Sequence, residues 1–107
     1  MSAMKTVITS SGDKLQSTMD PRFGRCAYFC IYDQENGSST FLKNEYATGQ
    51  SGVGQKVAEK MLNLGIKRIV SGDFGPKAKE MLDKYQVQLV KFTDDNKTIQ
   101  QIIETLK

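Results

Sequence analysis

Apolar and polar positions along the chain follow two different periods. A two-residue alternation marks Lys5-Thr-Val-Ile-Thr9, Tyr28-Phe-Cys-Ile-Tyr32 and Thr40-Phe-Leu-Lys43 as strands, since successive strand side chains point to opposite faces. In the second strand Tyr28, Cys30 and Tyr32 share one face, and Phe29 and Ile31 share the other. Ser10-Ser-Gly-Asp13 ends the first strand in turn residues, and residues 14–25 form a long polar connection containing Pro21 and Gly24. Glu35-Asn-Gly-Ser38 carries the Asn-Gly pair preferred in a type I′ hairpin. The opening third therefore reads as an antiparallel meander.

Beyond it the period changes. Val53, Val57, Met61, Leu62 and Leu64 recur at helical spacing, and Gly65 is placed to end that helix. Lys67-Arg-Ile-Val70 is a strand, Ser71–Gly75 a loop, and Pro76 suits the first position of a helix carrying Ala78, Met81, Leu82 and Tyr85. Val87-Gln-Leu-Val90 is the fifth strand. Thr98-Ile-Gln-Gln101 has the form of a capping box ahead of Ile102, Ile103 and Leu106. The order β-β-β-α-β-α-β-α predicts an α/β fold with a five-stranded mixed sheet, order 3-2-1-4-5. The second strand runs antiparallel to the rest, and helices cover both faces. A length of 107 residues suits one domain over 1–107, with a core over 4–92 and a C-terminal helix over 98–107.

That topology gathers loops. Strands one, three and four end at one edge of the sheet, and strand two begins there. The Arg22-Phe-Gly-Arg-Cys26 turn, the Gly49-Gln-Ser-Gly-Val-Gly54 loop and the Ser71–Gly75 loop should meet at that edge, where open α/β sheets bind ligands.

Composition narrows the chemistry. The chain has no histidine, which excludes imidazole bases, Ser-His-Asp triads and zinc–imidazole sites. A net charge of +3 is consistent with an anionic partner, but the lysines are scattered rather than clustered, and no nucleic-acid surface is expected. No apolar run approaches the ~18 residues a membrane helix needs, and the start lacks a signal peptide, so a cytoplasmic protein is expected. Met1-Ser-Ala reads either as native residues or as an added extension, with Met4 then as the start. The two cysteines do not make a disulfide scaffold: Cys26 and Cys30 would lie ~13 Å apart in an extended chain, beyond the ~7 Å limit for a bridge.

Four groups of residues carry candidate chemistry. The glycine loop fails both the Walker and the dinucleotide patterns. It remains either an anion-favouring helix start or a plain loop. Arg22 and Arg25 suit an anion, or they pair Asp20 and Asp33 on the surface. Cys30 reads as a core thiol. Cys26 stands at the mouth of its strand beside Arg25, where it is expected to be reachable by solvent and its thiol acidified by cationic neighbours. Asp13, Asp20, Asp33 and Asp73 are the carboxylates available for two-metal nuclease chemistry, although Asp is routine in Ser-Gly-Asp turns.

Asp20-Pro-Arg-Phe-Gly-Arg25 ahead of an aromatic strand, Gly52-Val-Gly54-Gln55 at a helix start, and Ser71-Gly-Asp-Phe-Gly-Pro76 together resemble the dinitrogenase iron-molybdenum cofactor family. That family groups nitrogenase cofactor carriers with the molybdenum-copper orange protein. The resemblance implies an RNase H-like three-layer fold and a non-enzymatic role. The protein would hold or transfer an anionic metal–sulfur cluster, the iron-molybdenum cofactor or a related one, among partner proteins of cofactor assembly. It implies cofactor contacts at Arg22, Phe23, Gly24, Arg25, Cys26, Gly49, Gly52, Gly54, Gly72 and Gly75, with Cys26 as the metal ligand. Some relatives carry a histidine near the glycine loop; this chain has none, which shifts the expected contacts to Cys26 and the backbone. The alternative is a regulatory or interaction module that keeps the fold without cargo.

Overall fold

The computed structural model describes residues 4–49, 51–93 and 96–107; Met1–Ala3, Gln50 of the glycine loop, Asp94 and Asp95 lie outside them. Its elements are β1 (Lys5–Ser10), β2 (Tyr28–Asp33), β3 (Ser39–Lys43), α1 (Val53–Asn63), β4 (Arg68–Ser71), α2 (Pro76–Lys84), β5 (Gln88–Lys91) and α3 (Ile99–Leu106). One sheet forms in the order β3-β2-β1-β4-β5, with β2 antiparallel to β1 and β3 and with β4 parallel to β1 and β5.

Strand alternation builds a core on each face. Val7, Phe29 and Ile69 face α1 and α2, where Val57, Met61 and Leu82 meet them. Ile8, Cys30 and Val70 face α3, where Ile99, Ile102 and Ile103 cover them. The capping box is present: Thr98 Oγ1 accepts from Gln101 N at 3.1 Å, and Gln101 Oε1 accepts from Thr98 N at 2.9 Å.

Both helices on the first face end alike. The Ile66 and Gly65 amides donate to the Met61 and Leu62 carbonyls, and the Val87 and Gln86 amides donate to those of Leu82 and Asp83. This is the paired bonding of a Schellman end, which needs a left-handed residue after the cap. Gly65 fills that position at φ 74°, whereas α2 uses Gln86 at φ 63°.

The hairpin after β2 differs from the expected type I′ turn. Gly37 alone has positive φ, and its amide donates to Asp33 O at 2.8 Å across a longer loop. Asp33 and Asn36 side chains accept from the Glu35 and Ser38 amides, each at 2.9 Å, so local side-chain turns set the loop length. The connection over 14–25 is polar in composition but anchored. Met19 is buried on the α3 side and Phe23 on the α1/α2 side, so the chain crosses the edge of the sheet between them.

Candidate functional site

At this crossing the carboxyl ends of β1 and β4 support the Asp20–Arg25 turn. Asp20 N donates to Thr9 O at 3.0 Å, and Thr9 Oγ1 donates to Asp20 O at 2.6 Å. Ser71 Oγ donates to Pro21 O at 3.3 Å, and Phe23 N to Asp73 O at 3.1 Å. Gly72 is flush with the turn: a Cβ there would lie 2.5 Å from Pro21 Cβ. Gly24 lies against the start of α1, where its Cβ would be 3.2 Å from Gly54 Cα. The three loops therefore meet at one edge, as the topology predicts.

The helix starts face this junction. α1 and α2 are capped by Gly52 and Gly75, both at positive φ, and neither start has a side-chain cap or an acidic residue in its first turn. The first intrahelical bonds are made by Lys56 N and Lys79 N, each at 3.1 Å. Among the described residues the amides of Val53, Gly54 and Gln55 in α1, and of Lys77 and Ala78 after the N–H-less Pro76 in α2, are thus left to solvent or a ligand, and each helix presents the positive end of its dipole. A depression of about 280 Å³ opens between them, lined by Gly52, Gly54, Phe74, Gly75 and Lys77. A larger groove, about 920 Å³, runs outside between the helices past Leu62 and Tyr85. It shares Gln55 and Lys77 with the smaller depression and from there extends away from the convergent loops.

The two arginines have different partners. Asp20, 7% exposed, accepts from Arg22 N and Nε at 3.0 Å and from Nη2 at 2.9 Å, leaving the arginine side chain 66% exposed. This pair raises the Arg22 guanidinium above its ordinary value, chiefly through the hydrogen bonds to Asp20. Arg25 Nη1 instead donates to backbone carbonyls, Ala47 O at 3.5 Å and Gly49 O.

The cysteines overturn one expectation. Cys26 is fully buried in the α1/α2 core, and its Sγ donates to Phe23 O at 3.5 Å. Burial, and next the charge of Asp20, push its thiol up to about 12; the opposing pull of Arg22 is weaker. It is neither open to solvent nor acidified, because desolvation of a thiolate outweighs a guanidinium already engaged by a carboxylate. Cys30 is buried as expected, on the opposite face, and burial raises it to about 12 as well. Both thiols are free. Phe23 also turns inward, 1% exposed, with its ring 5.6 Å from that of Phe74, so it anchors the turn from below.

The carboxylates do not assemble into a nuclease site. Asp33 sits opposite Lys5 at the far edge of the sheet, Asp20 is engaged by Arg22, and Asp73 accepts from Gly75 N at 3.3 Å. Among the described residues no group of three or more Cys, Asp or Glu could hold a metal ion. Sequence reasoning missed Asn44, which is 3% exposed. Its Nδ2 donates to Gly24 O at 3.0 Å and Cys26 O at 2.8 Å, and its Oδ1 accepts from Tyr46 N at 3.0 Å. A lone Asn after a strand carries no motif.

Residues 4–107 match the family described as "Dinitrogenase iron-molybdenum cofactor". The chain belongs to this family. The family's description refers to the iron-molybdenum cofactor of dinitrogenase. Among solved structures, the apo orange protein of Desulfovibrio gigas superposes with a TM-score of 0.89 at 24% identity, covering 98% of this chain and 88% of that one. A Thermotoga protein of the DUF35 family, assigned provisionally as NifB, gives 0.81 at 30% identity over 96% of this chain and 86% of its own. An uncharacterised protein of Methanocaldococcus jannaschii is 32% identical over 76 residues, which cover 68% of this chain and 64% of that relative's length. Among the described residues no helix is long and apolar enough to cross a membrane.

Proposed function

We propose that this protein holds a preformed, negatively charged metal–sulfur cluster at the carboxyl edge of its sheet and passes it between proteins of cofactor assembly, without catalysing a reaction. The observation that carries this reading is the meeting of two uncapped helix N-termini with a turn bearing two exposed arginines. Such a cradle of amides and guanidinium groups suits an anion whose metals already have their sulfide ligands. Family membership supports the choice of cargo. In this reading the amides at Gly52 and Gly54, those of Lys77 and Ala78 behind the Gly75 cap, and the side chains of Arg22 and Arg25 make the contacts. Phe23, Gly24 and Gly72 seat the turn, and Gly49 holds Arg25. Cys26, protonated beneath the turn, supports it and is not required as a ligand.

The test is anaerobic reconstitution with a metal–sulfur cluster, followed by metal and sulfide analysis after gel filtration. Stoichiometric retention by wild type and by Cys26→Ala, with weaker retention by Arg25→Gln, is expected. Loss of retention in a folded Cys26→Ala protein would make the thiol a ligand. No retention by wild type would favour a module without cargo.

A further inference from the structure

Arg22 and Arg25 are neighbours in one turn, yet among the described residues only Arg22 has its charge balanced by a carboxylate. Asp20 is fixed by its own main chain, through bonds to Thr9 O at 3.0 Å and from Thr9 Oγ1 at 2.6 Å. Its carboxylate is buried and takes both Nε and Nη2 of Arg22 in a fork, which orients the guanidinium plane. A guanidinium has five N–H donors. Two are spent on Asp20, so the rest project from a side chain that is 66% exposed. Among the described residues Arg25 makes no ion pair within 4 Å, and its partners Ala47 O and Gly49 O are neutral.

The geometry points to a division of labour. Arg25 supplies the site's net positive charge, whereas Arg22 acts as an oriented hydrogen-bond donor with Asp20 as its positioning residue. This rests on the cluster-holding reading for the identity of the ligand, though not for the orientation of Arg22. Because the Asp20–Arg22 pair is neutral as a unit, its contribution to anion binding depends on geometry and is little screened by salt. The contribution of Arg25 is Coulombic and fades as salt rises.

The deciding variant is the double Asp20→Asn/Arg22→Gln. It removes one negative and one positive charge, so net charge is unchanged, and it leaves no buried carboxylate without a partner. Anaerobic titration with the thiomolybdate dianion is compared at about 0.1 M and about 1 M salt, where the Debye length falls from about 10 Å to about 3 Å. The double variant is expected to bind roughly tenfold more weakly at both salts, the scale of one charge-assisted hydrogen bond. Arg25→Gln is expected to lose a similar factor at low salt and most of that difference at high salt. Equal salt dependence for the two variants, or unchanged affinity in the double variant, overturns the division.

A second measurement needs no ligand. In the ¹⁵N-labelled apo protein the Arg22 Nε–H should exchange with water at least about tenfold more slowly than that of Arg25, and should lose this protection in Asp20→Asn. Exchange as fast as at Arg25 overturns the positioning role. If wild type fails to bind thiomolybdate, the cluster reading and the binding half of the proposal fall together. The exchange result still upholds or overturns the orientation of Arg22 by Asp20.

Discussion

Adding one methyl group to either of two glycines should move stability in opposite directions. At Gly72 a Cβ would fall 2.5 Å from Pro21 Cβ, 2.8 Å from Pro21 Cα and 3.1 Å from Pro21 O. Two of these atoms belong to the main chain, so no rotamer change relieves the contact and the Asp20–Arg25 turn must lift from β4. Overpacking of this kind costs ~1–3 kcal/mol. Lifting also strains the bonds from Ser71 Oγ to Pro21 O and from Phe23 N to Asp73 O. Against this stands a gain of ~0.4–1 kcal/mol from restricting the unfolded chain. Gly72→Ala is therefore expected to destabilise by roughly 1–2 kcal/mol, or about 4–16 °C in Tm for a domain of this size. At Gly54 the added Cβ meets only Ala78 Cβ, at 3.6 Å, an ordinary contact within the first turn of α1. There helix propensity should stabilise by ~0.5–1 kcal/mol. Urea and thermal unfolding of the three proteins measure both effects. A Gly72→Ala protein as stable as wild type would falsify the seating of the turn on the β4 loop, and with it the edge that brings the arginines to the helix starts.

Three further outcomes follow from the same geometry. Gln86→Gly should stabilise by ~1 kcal/mol, since it keeps the Schellman bonds of α2 and removes a side chain from φ 63°; a loss of stability by urea titration would show that Gln86 contributes more than backbone strain costs. Asn44→Ala should cost ~1–3 kcal/mol by leaving the Gly24 and Cys26 carbonyls without their donor, and an unchanged urea midpoint would show that solvent replaces it freely. Both thiols stay protonated in the fold to about pH 12 but ionise near pH 9 when unfolded, so their contribution is complete below pH 9. It should then be lost at ~1.4 kcal/mol per pH unit per thiol as pH rises towards 12. A Cys26→Ala/Cys30→Ala protein with the same alkaline slope as wild type would contradict this.

Strand order and element boundaries were legible because periodicity reports which face each side chain must bury. Val7 and Ile8, or Phe29 and Cys30, separate by parity alone, and parity does not depend on distant residues. The hairpin was less legible: Asn36-Gly37 signals a turn, but Asp33 and Asn36 side chains choose the longer loop. At the site, the meeting of loops followed from topology, whereas the state of each group there did not. Cys26 is next to Arg25 in sequence, yet the guanidinium of Arg25 is turned to Ala47 and Gly49 while the thiol lies in the core. A pKa depends on burial and on charges in space, and neither is encoded by adjacency.

The turn itself shows why adjacency misleads. Arg22 and Arg25 are exposed, while Phe23 and Cys26 between and after them are buried. A three-residue spacing thus sorts one short peptide into an outward charged pair and an inward apolar pair. The inward pair has its own reason to exist. Guanidinium groups offered on a free loop would lose orientation entropy on each encounter with an anion, whereas a turn packed on Phe74 and held by Asn44 has lost it on folding. Placing a thiol beneath the arginines is then a matter of volume and polarity: a small side chain that tolerates full burial and still reaches the Phe23 carbonyl.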